Sequence, residues 1–186
     1  YSVDIDNIIV GRGNPCLVIA EAGINHNGDM ELAHKLIDAA KESSANAVKF
    51  QSFVAEDLAT PQATKAIYQI ETIGSSGSQC DMLKKLELTH SQQKELKDHC
   101  EEIGIIYLCT PYEEKSADIL KDLGVAAYKI ASTDTNNLPF LRYIAQTNIP
   151  VILSTGMSSF GEVEDAVNVL KSNGLTEKII ILQCTS

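Results

Sequence analysis

Charged and polar side chains follow several apolar runs of this 186-residue chain, at the points where the runs end. Lys49 and Gln51 alternate in AVKFQS, and Lys129 lies inside AYKIAS. Because successive side chains of a strand point to opposite faces, Lys49 and Gln51 share one face. A lysine within a buried strand is costly unless it is paired or faces a site; the alternative is a solvated edge strand. Two such lysines indicate a site for an anionic ligand or for a Schiff base.

Hydroxyl groups and one carboxylate occupy similar positions on other runs. Ser132 follows AYKIAS, and Ser154 begins the STG that ends VILSTG. Their hydroxyls, with backbone N–H groups at helix starts, are suited to a phosphate, and Lys129 nearby strengthens that interpretation. Glu21 ends the run LVIAE. Its position favours a site residue that binds hydroxyls or acts as acid or base over a purely structural carboxylate.

Cysteine and histidine residues give weaker signals. No two of the cysteines form a CxxC pair, so the sequence predicts free thiols and a reducing, cytoplasmic compartment. The cysteines are Cys16, Cys80, Cys100, Cys109 and Cys184. Cys109 and Cys184 are interpreted as small core residues, and His26 in NHNG as either a turn residue or a ligand. No His, Cys or carboxylate pair has metal-ligand spacing, so no metal ligand is predicted within the chain.

The elements that would position these residues repeat as strand then helix. Apolar runs start near residues 17, 47, 105, 127, 150 and 179. Amphipathic stretches predict helices over about 29–43, 90–103 and 113–123, from about 139, and after 159. Capping boxes at Thr89/Gln92 and Ser159/Glu162 mark two helix starts. This repetition predicts a parallel sheet with one helix per strand.

Two folds share that pattern, a doubly wound sheet and a (β/α)8 TIM barrel. The run EAGINHNG lacks the glycine fingerprint of a dinucleotide site, and nearly every strand ends in a polar group, which favours the barrel. Six units are present where eight are needed, so the sequence predicts the N-terminal part of a barrel. We expect residues 1–16 to form a strand or hairpin extension, residues 17–186 a partial barrel, and residues 52–88 an excursion on the active face.

The net charge of −10 limits the possible partners. Such a charge disfavours nucleic acid and anionic membranes, and no apolar run is long enough to span a bilayer. A small anionic substrate remains compatible with the chain where lysines locally reverse the field.

Several motifs together resemble the sialic acid synthase family. They are AEAGINHNGD, NAVKFQS, MLKKLEL, CTPYE, YKIAS, ILSTGM and LQCTS, in order and with matching spacing. The resemblance implies a (β/α)8 barrel followed by a small antifreeze-like domain, in a domain-swapped homodimer. It implies condensation of phosphoenolpyruvate with the open-chain aldehyde of an N-acetylated hexosamine, with phosphate leaving by C–O cleavage.

The resemblance also implies roles for residues of the first strands. Glu21 matches a glutamate that contacts sugar hydroxyls. Lys49 and Gln51 match a pair that contacts substrate and phosphoenolpyruvate, and Thr110 matches a site residue of the third barrel strand.

Residues of the later strands match the phosphoenolpyruvate half of the family's site. Lys129, Ser132 and Ser154 match residues that hold its carboxylate and phosphate. Asp134 stands where some members carry Glu, which implies an acid/base or sugar-binding role. Ser186 stands where some members have Asn, and is expected to contact substrate.

A divalent metal, Mn²⁺ in most members, is implied as a cofactor, with ligands expected beyond residue 186. The chain alone is therefore expected to be inactive. One alternative is a Schiff-base aldolase with Lys129 or Lys49 as nucleophile. The others are a non-catalytic sugar-phosphate-binding fragment and a synthase of 3-deoxy sugar acids, which the EAGINHNG and LQCTS motifs disfavour.

Overall fold

The structure is a computed structural model that describes residues 1–64 and 78–184. Eight strands lie in these ranges. An antiparallel hairpin pairs β1 (Ser2–Ile5) with β2 (Ile8–Gly11), and six further strands form a parallel sheet in sequence order. These are β3 (Ile19–Gly23), β4 (Ala47–Ser52), β5 (Ile106–Pro111), β6 (Tyr128–Ile130), β7 (Val151–Ser154) and β8 (Ile179–Leu182).

Helices connect the parallel strands and cover one face of the sheet. They are α1 (Met30–Glu42), α2 (Ala55–Leu58), α3 (Gln79–Lys84), α4 (His90–Ile103), α5 (Glu114–Leu123), α6 (Leu138–Gln146) and α7 (Phe160–Ser172). A short 3₁₀ turn, Ser132–Asp134, follows β6. None of the helices in the described ranges is long and apolar enough to cross a membrane.

The helix boundaries follow the capping signals of the sequence. Both predicted capping boxes form: Thr89 begins α4 and Ser159 begins α7, each bonded reciprocally to the residue three positions later. Gly104 and Gly124 end α4 and α5 at φ 72°, in the left-handed region where glycine carries no Cβ penalty. The predicted helix bounds are thus confirmed to within about a residue at most ends.

Two apolar clusters lie on opposite faces of the parallel sheet. The larger packs the helices against outward-facing side chains such as Phe50, Tyr107 and Tyr128. The smaller combines Ile106, Leu108 and Ile152 with Val3 and Ile5 of the hairpin. The hairpin therefore covers the inner face near the start of the strands. Strand alternation thus directs one set of side chains to the helices and the other to the interior.

This architecture confirms the predicted α/β class. Six parallel strands in sequence order, with helices on one face and a filled interior on the other, make a partial (β/α)8 barrel. The excursion after β4 begins with α2 and ends with α3, whose side chains share a small apolar cluster. All six strands run in the same direction, so their carboxyl ends meet at one edge of the sheet.

Candidate active site

An ion pair joins the first two strands of the parallel sheet. The Lys49 ammonium lies 2.9 Å from Oε1 of Glu21 and 2.7 Å from Oε2. It also donates to Oγ1 of Thr110, on β5, at 3.4 Å. The lysine side chain is only 9% exposed, whereas that of Glu21 is 56% exposed. The Lys49 charge is therefore balanced by the Glu21 carboxylate, while the Glu21 side chain remains partly exposed to solvent.

A bulge in the backbone of β3 directly follows this pair. Glu21 pairs with Lys49 in register, but Gly23 pairs with Phe50, so the ladder shifts by one residue. Gly23 has φ 54°, and a Cβ there would lie 3.1 Å from Oε1 of Glu21 and 3.6 Å from Nε2 of Gln51. The backbone angle therefore favours glycine, and an added Cβ would also crowd the Glu21 carboxylate, whereas its distance to Gln51 is an ordinary contact. Gln51 is half-buried at this end of β4.

A second lysine lies on the other side of the site. Lys129 on β6 donates to Oγ of Ser154 on β7 at 2.5 Å and to the carbonyl of Ile130 at 3.0 Å. Its residue is 9% exposed. Within the described ranges no carboxylate lies at ion-pair distance from its ammonium. Both acceptors are neutral, so a buried positive charge faces the site without a counter-ion.

The surroundings of Lys129 disfavour its charge. Burial, followed by the positive charge of Lys49, lowers the pKa of Lys129 to about 8, and Cys184 and Glu21 raise it only in part. A buried ammonium in this state is stabilised by an incoming anion. The Lys129–Ser154 side of the site would therefore favour an anionic ligand, which would supply the counter-ion that Lys129 lacks among the described residues.

The turn after β6 carries one further acidic group. Asp134 is 9% exposed, and its Oδ1 accepts from Nδ2 of Asn137 at 3.3 Å. Its Oδ2 is buried and has no partner among the described residues. Burial raises the pKa of Asp134, although Asn137 and Thr133 oppose the shift. Ser132, half-buried, begins the same turn. A buried carboxyl with one free oxygen can hold or move a proton.

The sequence analysis missed Tyr112, which follows β5 in the CTPYE motif. Its ring meets Phe53 edge-on with centroids 6.3 Å apart. Burial and the negative charges of Asp134 and Glu21 raise its pKa to about 12. The phenol therefore stays protonated, and it lies close enough to Asp134 and Glu21 for their charges to affect its pKa. An aromatic residue directly after a strand end was the sequence signal that could have found it.

Cys184 also differs from its prediction as a small core residue. It is half-buried, whereas Cys109 is buried as predicted. Its thiol donates to the carbonyl of Leu182 at 3.5 Å, and the hydroxyl of Thr155 donates to the same carbonyl at 2.8 Å. The thiol thus lies beside the loop that follows β7. Its position two residues after β8, outside the sheet, explains why the core prediction was wrong.

His26 is completely buried in the loop after β3. Its Nδ1 accepts from the backbone N–H of Gly28 at 3.0 Å. This bond supports the turn interpretation of the sequence. The described residues contain no group of three or more His, Cys, Asp or Glu side chains that could hold a metal ion.

The predicted site residues that the structure describes lie within the parallel strands or in the 3₁₀ turn after β6. They are Glu21, Lys49, Gln51, Thr110, Lys129, Ser132, Asp134 and Ser154. These residues form two groups, the Glu21–Lys49–Thr110 cluster and the Lys129–Ser154 pair. The two groups are close enough for the charge of Lys49 to lower the pKa of Lys129. Ser186 lies outside the described residues. Their roles in substrate binding and catalysis stay predictions.

Comparison with known proteins identifies the family. The family model described as "NeuB family" matches residues 36–186, which include most of the site. This chain belongs to the NeuB family. The match includes the strands that carry both lysines and the buried Asp134, whereas Glu21 and Gly23 precede the matched residues.

Two curated NeuB relatives illustrate the range of the similarity. The chain is 47% identical over 171 residues to N,N'-diacetyllegionaminic acid synthase of Campylobacter jejuni, covering 91% of this chain and 51% of the relative. It is 35% identical over 183 residues to human N-acetylneuraminate-9-phosphate synthase, covering 95% and 48%. The chain therefore spans about half the length of the curated relatives it matches.

A solved structure supports the fold of this NeuB chain. The N-acetylneuraminic acid synthetase of Leptospira borgpetersenii, in complex with citrate, superposes with a TM-score of 0.84 at 33% identity. The match covers 100% of this chain and 60% of that protein. The sheet and helices described here are thus shared with a synthetase of known structure.

Proposed function

We propose that the protein containing this chain is a nonulosonic acid synthase. It condenses phosphoenolpyruvate with an N-acetylated hexosamine in its open-chain aldehyde form and releases phosphate. Carbon C3 of phosphoenolpyruvate attacks the aldehyde, water adds at C2, and phosphate leaves by C–O cleavage. Membership of the NeuB family and the names of the relatives support this reaction.

One observation carries the proposal: Lys129 is nine-tenths buried, and no carboxylate in the described part of the chain neutralises it. In a protein of net charge −10, a buried cation without a counter-ion creates a local positive potential. Phosphoenolpyruvate brings a carboxylate and a phosphate. Lys129 and the hydroxyls of Ser154 and Ser132 would bind these groups through charge-assisted hydrogen bonds.

The opposite side of the site suits the sugar. Glu21 keeps an exposed side although both of its oxygens contact Lys49. Sugar hydroxyls can donate to that carboxylate without bringing negative charge to it. Gln51 and Thr110, on adjacent strands in register, offer neutral donors and acceptors next to it. The two substrates would therefore meet between an anion-binding half and a hydroxyl-binding half.

Asp134 is the group we assign to proton transfer. Burial raises its pKa, so it exchanges a proton nearer to neutral pH than an exposed aspartate does. In its ionised form it would accept a proton from the water that adds at C2, and in its protonated form it would return one. Its unpartnered Oδ2 is the atom available for this task.

We also propose a divalent metal, Mn²⁺, which would polarise the sugar aldehyde as a Lewis acid when bound. The described residues contain no group of three or more His, Cys, Asp or Glu side chains that could hold it. We further propose that the full-length protein acts in the cytoplasm as a domain-swapped homodimer. Light scattering of the full-length protein checks the dimer.

A Schiff-base aldolase is the second candidate, because a lysine with a pKa of about 8 resembles an activated amine nucleophile. At neutral pH about a tenth of such a lysine is uncharged. The alternative predicts a covalent adduct on Lys129 after borohydride reduction in the presence of substrates. The synthase predicts no adduct, since Lys129 acts as a cation.

Phosphate release by the full-length protein tests the proposed function. Release should require Mn²⁺, phosphoenolpyruvate and the sugar together, with N-acetylmannosamine and a diacetamido sugar as the two acceptors to compare. Phosphoenolpyruvate labelled with ¹⁸O at the C2–O–P bridge distinguishes the bond that breaks. C–O cleavage places the label in phosphate; label retained in the sugar acid would contradict the proposal.

A further inference from the structure

Two hydrogen bonds hold Ser154, the last residue of β7. The Thr135 hydroxyl donates to the carbonyl oxygen of Ser154 at 2.9 Å, and the hydroxyl of Ser154 accepts from the Lys129 ammonium at 2.5 Å. Because the serine oxygen accepts from the lysine, its own proton remains available for donation to an anion. The position of this donor therefore depends on the backbone bond as well as on the lysine.

The bond from Thr135 takes the place of a strand pairing. The ladder between β6 and β7 extends as far as Ile130 and Leu153, so Ser154 lies one residue beyond it. A backbone carbonyl that leaves a ladder needs another donor. The Thr135 side chain supplies that donor, and since the residue is only 1% exposed, little solvent competes for the bond.

Thr135 belongs to the turn that follows β6. Its backbone N–H donates to the carbonyl of Ser132 at 3.3 Å and closes the turn that contains Asp134. Within the described ranges, the Thr135 hydroxyl makes the only hydrogen bond between this turn and β7. One buried side chain therefore links the turn that carries Asp134 to the strand that carries Ser154.

We propose that Thr135 is a positioning residue whose hydroxyl holds Ser154 beside Lys129. The same bond fixes the turn that carries Asp134 against the anion-binding half of the site. This inference rests on the proposed function, which assigns phosphoenolpyruvate to the Lys129–Ser154 pair and proton transfer to Asp134. Thr135 touches neither substrate and acts through these residues.

The effect of Thr135 should be confined to one half of the site. The Glu21–Lys49–Thr110 cluster is built on β3, β4 and β5, and its hydrogen bonds do not involve Thr135. Loss of the Thr135 hydroxyl should therefore weaken the binding of phosphoenolpyruvate and slow turnover, while the KM for the sugar stays the same. A residue that only stabilised the fold would affect both substrates or neither.

Thr135→Val in the full-length protein tests the proposal, because it keeps the shape of the side chain and removes the hydroxyl. We expect kcat/KM for phosphoenolpyruvate to fall about 10- to 100-fold and the KM for the sugar to change by less than about twofold. Thr135→Ser keeps the hydroxyl and should retain kcat/KM for phosphoenolpyruvate to within about threefold.

A second pair of variants measures the same oxygen atom. Thr135→Ser and Thr135→Ala differ only by the hydroxyl, and neither places a methyl group beside the Ser154 carbonyl. If Thr135→Val fails to fold, as judged by circular dichroism, this pair decides the question. Equal kcat/KM for phosphoenolpyruvate in the two variants would overturn the proposal.

Thr147→Val is the matched control. The Thr147 hydroxyl donates to the carbonyl of Ile144 at 2.7 Å at the C-terminal end of α6, so its loss should leave the kinetics of both substrates unchanged. A rise in the KM for both substrates in Thr135→Val would show a structural role instead of a positioning role.

Calorimetry with phosphoenolpyruvate and Mn²⁺ distinguishes this inference from the proposed function. If the unmodified protein binds phosphoenolpyruvate and Thr135→Val binds it equally tightly with unchanged kcat, the positioning role is wrong and the proposed function stands. If the unmodified protein does not bind phosphoenolpyruvate at all, the proposed function is wrong and the positioning role is rejected with it.

Discussion

Both carboxylate oxygens of Glu21 contact the ammonium of Lys49, at 2.9 and 2.7 Å, across the β3–β4 ladder. Two buried lysines that occupy similar positions in the sequence therefore differ in their electrostatic partners. Lys49 has its counter-ion within the chain, whereas the described structure gives Lys129 none. Under the proposed function, Lys129 is therefore the lysine whose charge is available to an anionic substrate.

The pH dependence of phosphoenolpyruvate use should report the charge of Lys129. Its pKa is lowered to about 8, so the proton leaves as pH rises through that value and the anion loses its partner. We expect kcat/KM for phosphoenolpyruvate to fall about tenfold between about pH 7 and about pH 9.

Two variants separate the charge of Lys129 from its shape. Lys129→Arg, which stays charged throughout, should remove the fall between these pH values. Lys129→Ala should abolish turnover or raise the KM for phosphoenolpyruvate at all pH values, with little loss of fold by circular dichroism. Unchanged kinetics in Lys129→Ala would show that this buried lysine takes no part in the binding of phosphoenolpyruvate.

Glu21→Gln should impair use of the sugar. The change keeps the shape but removes the charge that would accept hydroxyl hydrogen bonds, each worth roughly 1.5–3 kcal/mol. We expect kcat/KM for the sugar to fall tenfold to a few hundredfold, by about 1.4 kcal/mol per decade. Phosphoenolpyruvate affinity, measured by calorimetry with Mn²⁺, should not fall, because Lys49 loses a counter-ion and the site becomes more positive.

A matched control is the exposed ion pair between Glu31 and Lys35 on α1. Glu31→Gln removes the same charge from a surface helix and should leave the kinetics unchanged. Collapse of phosphoenolpyruvate binding in Glu21→Gln with normal sugar saturation would place Glu21 in the other half of the site.

Asp134→Asn should change the acid side of the pH profile. Because burial raises the pKa of Asp134, the ionised form that acts as a base is lost as pH falls through a value above the ordinary aspartate range. We expect Asp134→Asn to lower kcat by about 10²–10⁴-fold and to remove that acid limb. The exposed Asp165, changed to Asn, is the control. An acid limb that persists in Asp134→Asn assigns the titration to another group.

The hairpin should contribute to stability through Ile5. This side chain is fully buried in the interior cluster, so Ile5→Ala leaves a cavity and should lower the free energy of unfolding by about 2–5 kcal/mol. Ile9, on the same hairpin, is 41% exposed, and Ile9→Ala should cost less than about 0.5 kcal/mol. Urea unfolding of the full-length protein measures both. If Ile5→Ala lowers the free energy of unfolding as little as Ile9→Ala does, the hairpin does not support the sheet.

Local signals were sufficient to predict most of the secondary structure. The capping boxes at Thr89 and Ser159 depend on residues three positions apart, and the helix ends at Gly104 and Gly124 depend on one backbone angle. Lys49 and Gln51 share a face because of the strand repeat alone. The motifs at the strand ends were also sufficient for the family resemblance, which the comparisons confirm.

The tertiary structure decided which of these groups meet. Glu21 and Lys49 are 28 residues apart, and they meet because the register between β3 and β4 pairs them directly. The contact of Lys129 with Ser154 depends on the register between β6 and β7. A sequence shows the period of each strand but not the register between strands, because register depends on the packing of the whole sheet. The sequence therefore determined which chemical groups were available, and the fold decided that Lys49, unlike Lys129, has a carboxylate partner among the described residues.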